Sequence, residues 1–357
     1  MNNEFAISVP IGAYHPFLRD CLKSLSIQSP RPRVALLDAS GDPRVKAAAD
    51  DFRDLLAYRR HGPDGGQSDA ILEGWRHVDG DILGWLNADD ALYPDALARA
   101  SARFAADPGL EVVSGHTVIV DDDGAVTGYH WAVEPPGPSL LSGDTISQPS
   151  CFFRRSLHDR VGGLDADLHY TMDWDLWVRF WNAGARFDFI DETLSRVLWT
   201  KDAKTGGFNG RRRAEIGRIL DANAPSAARL KSRIGFGLHY LAEYVLPTEF
   251  AYALREAVSP SSKTINGLGR NGEIAAVASL PLVHFGDHAV RSLRIGFRGP
   301  DQGVARTFVD DAEARIDWDG KVMAVTPAAP IEPAATSILR LEASPGAIPR
   351  LRHVRFA

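Results

Sequence analysis

The stretch "DILGWLNADDALYP", Asp81 to Pro94, ends a strongly apolar run in Asn87-Ala88-Asp89-Asp90. Two adjacent carboxylates repel each other, so a cation or a solvated turn has to compensate them. A second acid, Asp38, closes the run "VALLD" in the same way. Carboxylates at the ends of buried apolar runs can hold a cation or accept hydrogen bonds from a ligand. They can equally cap a helix or tie a turn, and Ser40 and Asp42 compete with Asp38 for that duty.

The elements around these residues set where they fall. "FAISVPI" and "RVALLDAS" are β-branched runs ending in turn residues, and between them "FLRDCLKSLSIQS" has helical apolar spacing. "SDAILEGWRHV" predicts a helix capped by Ser68 or Asp69, then the strand "DILGWLN", then a helix with Pro94 at its start. "LEVVSGHTVIVDDDG" adds a strand or hairpin. This β-α-β-α-β rhythm predicts an α/β fold with a mostly parallel sheet covered by helices. Ligands bind such sheets at the carboxyl ends of the strands, and Asp38 and Asn87 to Asp90 both fall there.

At 357 residues the chain is long enough for two or three domains. The expected division is a catalytic-type domain over 1–205, a basic loop and helical segment over 206–261, and an all-β sandwich over 262–357. The helical segment is expected to pack on the first domain or on a second subunit, a homodimer, with peripheral membrane contact as the alternative. A formal charge of -6 with no strongly basic domain argues against a nucleic-acid partner. Cys21 and Cys151 have no metal-type spacing and form no disulfide framework, which implies a reducing compartment. No signal peptide or ~18-residue apolar span is evident, so the expected location is the cytoplasm, including the inner face of the membrane.

Four segments in order resemble a family 2 glycosyltransferase of the GT-A (Rossmann-like) fold, the branch acting on bacterial surface polysaccharides. They are "AISVPIGAYHPFLRDCLKSLSIQS", "GPDGGQSDAILEGWRHVDGDILGWLNADDALYP", "ISQPSCFFRRSLHDRVGGLDADLHYTMDWDLWVRF" and "ETLSRVLWTKDAKT". The resemblance implies an inverting transfer of a sugar from a nucleoside-diphosphate donor, most often a UDP-sugar, to a glycan or lipid-linked acceptor. It places Asp38 on the nucleobase, with Pro10 and Gly12 lining the same pocket, and Asp69 on the nucleotide. Asn87 to Asp90 correspond to the family's Asp-x-Asp motif, with Asp89 as ligand of a divalent Mn²⁺ or Mg²⁺ and Asn87 facing the ribose or the ion's water shell. Asp173 lines up with the general base, Asp175 being the competing acid, and Trp174 is either a sugar platform or core. Gln148 and Arg155 fall beneath the donor, and Lys204 belongs to a basic loop that could close over the diphosphate.

Three departures stand out. Asn87 replaces the first acid of the motif, and Trp199-Thr200 occupies the place where relatives carry a histidine that often completes the metal site. Met172 also replaces a carboxylate beside Asp173. These losses keep a rival class open, a non-catalytic glycan- or nucleotide-binding protein on a degenerate GT-A fold. A nucleotidyltransferase would need a Gly-rich phosphate loop that "VPIGAYHPF" lacks.

Overall fold

In the computed structural model the chain forms two compact units, one of residues 1–117, 130–197 and 201–230, the other of 118–129, 198–200 and 231–357. Residues 3–130, 137–199, 210–224, 229–230, 232–235, 237, 264–269, 271–298, 303–320 and 322–357 are described. Thr200, Lys201, Lys204 and most of the expected helical segment lie outside them.

In chain order the first part runs β1 (Phe5–Ile11), α1 (Leu18–Ser26), β2 (Arg33–Asp38), α2 (Pro43–Asp51), β3 (Leu56–His61), α3 (Gln67–His77), β4 (Ile82–Trp85), β5 (Ala91–Leu92), α4 (Ala96–Ala106), β6 (Val112–Val120), β7 (Val126–His130), β8 (Cys151–Arg154), α5 (Arg155–Arg160), α6 (Met172–Asn182), β9 (Phe187–Leu198) and α7 (Gly210–Asn223). The remainder is all strand: β10 (Thr264–Ile265), β11 (Leu268–Gly269), β12 (Val277–Leu282), β13 (Leu293–Arg298), β14 (Val304–Val309), β15 (Ala312–Glu313), β16 (Arg315–Asp319), β17 (Val322–Thr326), β18 (Ser337–Ala343) and β19 (Arg350–Phe356).

The first unit's sheet has the order β6-β8-β4-β1-β2-β3. β3, β2, β1 and β4 are parallel, whereas β8 is antiparallel to both β4 and β6. Strands β1 and β4 are buried at every position, as central strands covered on both faces must be. Helix α1 turns Leu18, Cys21, Leu22 and Leu25 inward on its 3.6-residue stripe. Each such fully buried leucine contributes about 2 kcal/mol of transfer free energy. Helix α3 approaches β1 so closely that a Cβ at Gly74 would stand 2.3 Å from the Ser8 hydroxyl oxygen. Only glycine permits that contact.

Two helix starts differ from the sequence expectation. Helix α3 is capped by Gly66, at φ 119°, and Asp69 reaches back from the first turn to accept the Gly65 N–H at 3.0 Å. Helix α4 begins at Ala96, two residues after Pro94, and Asp95 sits in the left-handed region at φ 63° without capping it. The missing cap comes from α1's C-terminal side, where Gln28 accepts the Leu97 N–H and donates to the Tyr93 carbonyl. That long-range bond has no local sequence signature.

The first unit does not end at 205. Helix α7 belongs to it through Glu215, which is 7% exposed and accepts hydrogen bonds from the His169 and Tyr170 amides, the Thr171 hydroxyl and Arg211. The second unit contains an antiparallel sheet in the order β16-β17-β13-β19-β7 and another in the order β12-β18-β14-β15. Buried Thr307 of β14 approaches the Met323 sulfur of β17 at 4.0 Å, so side chains of the two sheets meet in its core.

Candidate functional site

The four parallel strands end together. Ile11, Asp38 and His61 are paired across β1, β2 and β3, and the Leu86 amide donates to the Ser8 carbonyl, which carries β4 to the same edge. Strand direction thus delivers Gly12, Asp38, His61 and the Asn87–Asp90 turn to one side of the sheet. Pro10 lies inside β1 and is buried, while Gly12 is exposed at its end.

Asp38 is 1% exposed. Its Oδ1 accepts the Ser40 amide and hydroxyl, and its Oδ2 stands 2.7 Å from His61 Nδ1. The turn-forming role weighed for it and a place on the ligand edge therefore coexist in one side chain. Asp69 holds the glycine turn before α3, so its observed contact is structural.

Asn87 is the centre of an amide cluster. Its Oδ1 accepts Gln67 Nε2 at 2.8 Å, and its Nδ2 donates to Asp90 Oδ2 at 3.1 Å and to Gln148 Oε1 at 3.4 Å. Gln148 in turn donates to the Trp85 carbonyl at 2.7 Å. The amide thus supplies a donor to buried Asp90, which is 1% exposed. An aspartate at 87 could only accept there, leaving two carboxylates in contact. Asp90 does not cap the following helix, since α4 starts only at Ala96. We expect Asn87→Asp to lose about 1–3 kcal/mol of stability at neutral pH in the absence of divalent cation. Chemical denaturation with and without Mn²⁺ checks this, a smaller deficit with the ion being the expected result.

Asp89 is less enclosed than Asp90. Burial pushes its carboxyl above the usual range, while its own backbone N–H and the nearby His15 pull it down. His15 follows β1 and accepts the Phe17 amide on Nδ1 at 3.2 Å, which leaves Nε2 to carry the proton. Among the described residues, no group of three or more His, Cys, Asp or Glu side chains is placed to hold a metal ion.

The acid pair of α6 separates clearly. Asp175 is bound by Arg179, one turn on, at 2.7 Å, whereas Asp173 is half-buried and accepts the Trp174 amide. Helix α6 starts where Glu215 gathers the amides of residues 169 and 170. Met172 is buried and its sulfur receives the Ser68 hydroxyl at 2.8 Å, joining the first turns of α3 and α6. A neighbour that sequence reasoning missed is Asp144. Withdrawal from water by the surrounding protein and then the charge of Asp173 push its carboxyl well up, with the Ile146 amide, which donates to it at 3.1 Å, and Arg212 opposing.

One expectation is corrected, and one open alternative is decided. Arg155 does not face the diphosphate edge: its amide donates to Asp81 at the opposite end of β4, and its guanidinium donates to the carbonyls of Trp75, Val78 and Gly80. It closes the C-terminus of α3, where cationic donors complement the helix dipole. Arg155→Ala should therefore cost about 2–4 kcal/mol of stability in thermal or urea unfolding, with nucleotide affinity retained by the folded fraction. Trp174 is 2% exposed and its indole N–H donates to the Leu140 carbonyl at 2.7 Å, so it is core and offers no stacking face.

Glu215 carries a pH signature. Burial alone would raise its carboxyl from the usual 4.5, but the two amides, Thr171 and Arg211 outweigh burial and hold it below. A depressed folded value means a stabilising contribution present above the unfolded value and lost as pH falls through the folded one. Glu215→Gln should accordingly flatten the acid limb of a stability-versus-pH curve and lower stability most near neutrality.

Residues 8–164 match the family model described as Glycosyl transferase family 2. The chain is 30% identical over 191 residues to the O-antigen biosynthesis protein RfbC of Myxococcus xanthus, covering 51% of this chain and 15% of that protein. It is 25% identical over 217 residues to the uncharacterized glycosyltransferase RT0329 of Rickettsia typhi, covering 56% of this chain and 65% of the relative. In both cases the chain spans less than two thirds of the relative's length. The crystal structure of S. aureus TarS 1-349 in complex with UDP-GlcNAc shares the fold, with a TM-score of 0.54 at 15% identity over 71% of this chain and 81% of that one. The matched residues contain the strand edge from Gly12 to Gln148, whereas Asp173 and Glu215 lie beyond them. The similarity to glycosyl transferase family 2 thus extends over residues 8–164, where the strand edge and its acids lie.

Proposed function

We propose that this chain is an inverting glycosyltransferase that moves a sugar from a nucleoside-diphosphate donor, with a UDP-sugar favoured, to a hydroxyl of a glycan or lipid-linked acceptor. The reading rests chiefly on one observation: the parallel strands of the first unit bring Gly12, Asp38 and Asn87–Asp90 to a single edge inside the family-matched residues. The named structural relative was solved with UDP-GlcNAc, which makes that donor the first to test.

In this reading Asp38 and the end of β1 receive the nucleobase and ribose. Asp89 meets the diphosphate through a divalent ion, Mn²⁺ or Mg²⁺, which when bound would offset the negative charge of the leaving group. One carboxylate suits a hard cation, and with Asn87 engaged by Gln67, Asp90 and Gln148 most other ligands would come from the diphosphate and water. Gln148 fixes the amide cluster next to the donor. Asp173, positioned by Glu215, takes the acceptor proton during a single in-line displacement. The second unit's antiparallel sheets are read as a sandwich serving as an accessory domain. Among the described residues no helix is long and apolar enough to cross a membrane. A cytoplasmic place, with acceptor contact at the membrane's inner face, remains part of the proposal.

Incubating the full chain with a panel of UDP-, GDP- and dTDP-sugars plus Mn²⁺, and measuring nucleoside-diphosphate release, tests the reading. Release from one donor, accelerated by acceptor, is the expected result. Nucleotide binding with no release from any donor would favour the non-catalytic alternative.

A further inference from the structure

The outer face of the second unit's β7, β13 and β19 carries a feature that sugar transfer does not use. In β19, Leu351 and Val354 are both buried although three positions apart, which strict alternation forbids. The pairing explains it: Gly296 of β13 faces His353 while Phe297 faces Leu351, so Arg352 is the extra residue of a β-bulge. The bulge turns Arg352, His353 and Arg355 together away from the core. Gly296 completes the arrangement, since a Cβ there would stand 2.5 Å from the His353 ring. A recess of about 370 Å³ results, lined by Asp121, Thr127, Arg298, Arg352, His353 and Arg355.

Its charges are unequal. Arg355 is bound by Asp121 at 3.3 Å and Asp123 at 2.9 Å, so the two acids are both occupied by one cation. Arg352 is exposed and makes no ion pair among the described residues, and the guanidinium of Arg298, which has a contact of its own, lines the recess with it. Guanidinium groups bind oxyanions through paired, charge-assisted hydrogen bonds, while the Thr127 hydroxyl at the wall donates to the Ile119 carbonyl at 3.4 Å. The recess is at the lower end of small-ligand pocket volumes, the size of a monosaccharide bearing one charged group.

We propose that this recess is a subsite for the oxyanion, phosphate or carboxylate, of a saccharide-sized ligand, held by Arg298 and Arg352. His353 is its built-in reporter. Burial, then Arg355 and Arg352, hold its imidazole below the usual range, with Asp121 opposing. A bound anion would oppose the arginine charges and raise it.

The test follows the His353 imidazole by NMR in the full chain at low salt, titrating glucose 1-phosphate, glucuronate, inorganic phosphate and glucose. Saturable shifts with a raised pKa are expected from glucose 1-phosphate or glucuronate, and the tighter of the two names the anion's source. In an Arg298→Gln/Arg352→Gln double variant with an unchanged circular-dichroism melting transition, binding should weaken at least about tenfold. Arg352→Gln alone, at an exposed position, repeats the test if the double variant does not fold. No shift with any anion, equal shifts with neutral glucose, inorganic phosphate binding as tightly as the sugar anions, or undiminished affinity in the folded variants would overturn the proposal.

Discussion

Asp173→Asn should slow sugar transfer by about 10²–10⁴-fold, the range that positioned general bases contribute, with donor binding nearly unchanged. The substitution is nearly isosteric, and the amide oxygen can still accept the Trp174 N–H that the carboxylate accepts now. It removes the negative charge and with it the capacity to take a proton. Asp175→Asn supplies the contrast. Asp175 is tied to Arg179, so its loss should reduce stability by breaking that pair while sparing most of the turnover of folded enzyme. Rates measured on both variants with saturating donor decide the assignment. Equal losses in the two, or full activity in Asp173→Asn, would exclude Asp173 as the base.

Asp89→Asn should abolish metal-dependent nucleotide binding. A nucleoside diphosphate present at about 100 times its dissociation constant adds about 2.7 kcal/mol of stability. For a unit of this size that corresponds to a rise of roughly 5–10 °C in the thermal transition. The wild-type chain should show this shift only with Mn²⁺ or Mg²⁺ present, and Asp89→Asn should lose it. The comparison isolates Asp89 because Asp90 is turned inward onto Asn87. Shifts of equal size with and without metal would remove the role given to Asp89.

Both predictions concern acids that were visible in the sequence, yet for different reasons. Asp89 follows a buried strand whose direction is set by the alternation of strands and helices, so its edge could be read before its neighbours were known. Asp173 was visible only through resemblance, and its separation from Asp175 came from the partner Arg179. The distant residues that bear on them were hidden. Glu215, which holds the start of α6, lies 42 positions after Asp173 in a stretch that reads as a solvated basic segment, and His15, whose charge acts on Asp89, lies 74 positions before it. Contacts of that kind follow from how helices and loops converge, which no local spacing encodes.

Arg155 and Trp174 show the complementary limit. Both have chemically capable side chains beside matching motifs; on that basis Arg155 is placed beneath the donor and Trp174 is left between a sugar platform and core. The fold turns Arg155 to the far end of β4, onto carbonyls that α3 leaves unpaired, and turns Trp174 inward to Leu140. A residue's type states what it can bind, while the direction of its side chain decides what it does bind.

The sequence by itself determined the α/β alternation, the edge on which Asp38 and Asn87–Asp90 emerge, and the all-strand character of the C-terminal part. These depend on short-range periodicity and on the fixed handedness of strand–helix–strand connections. Only the tertiary structure decided why residue 87 is an asparagine. Its amide must donate to Asp90 and Gln148 while accepting from Gln67, and these partners come from three separate segments. Charge balance inside a folded site is a property of residues brought together from a distance, so it appears only once the chain has folded around them.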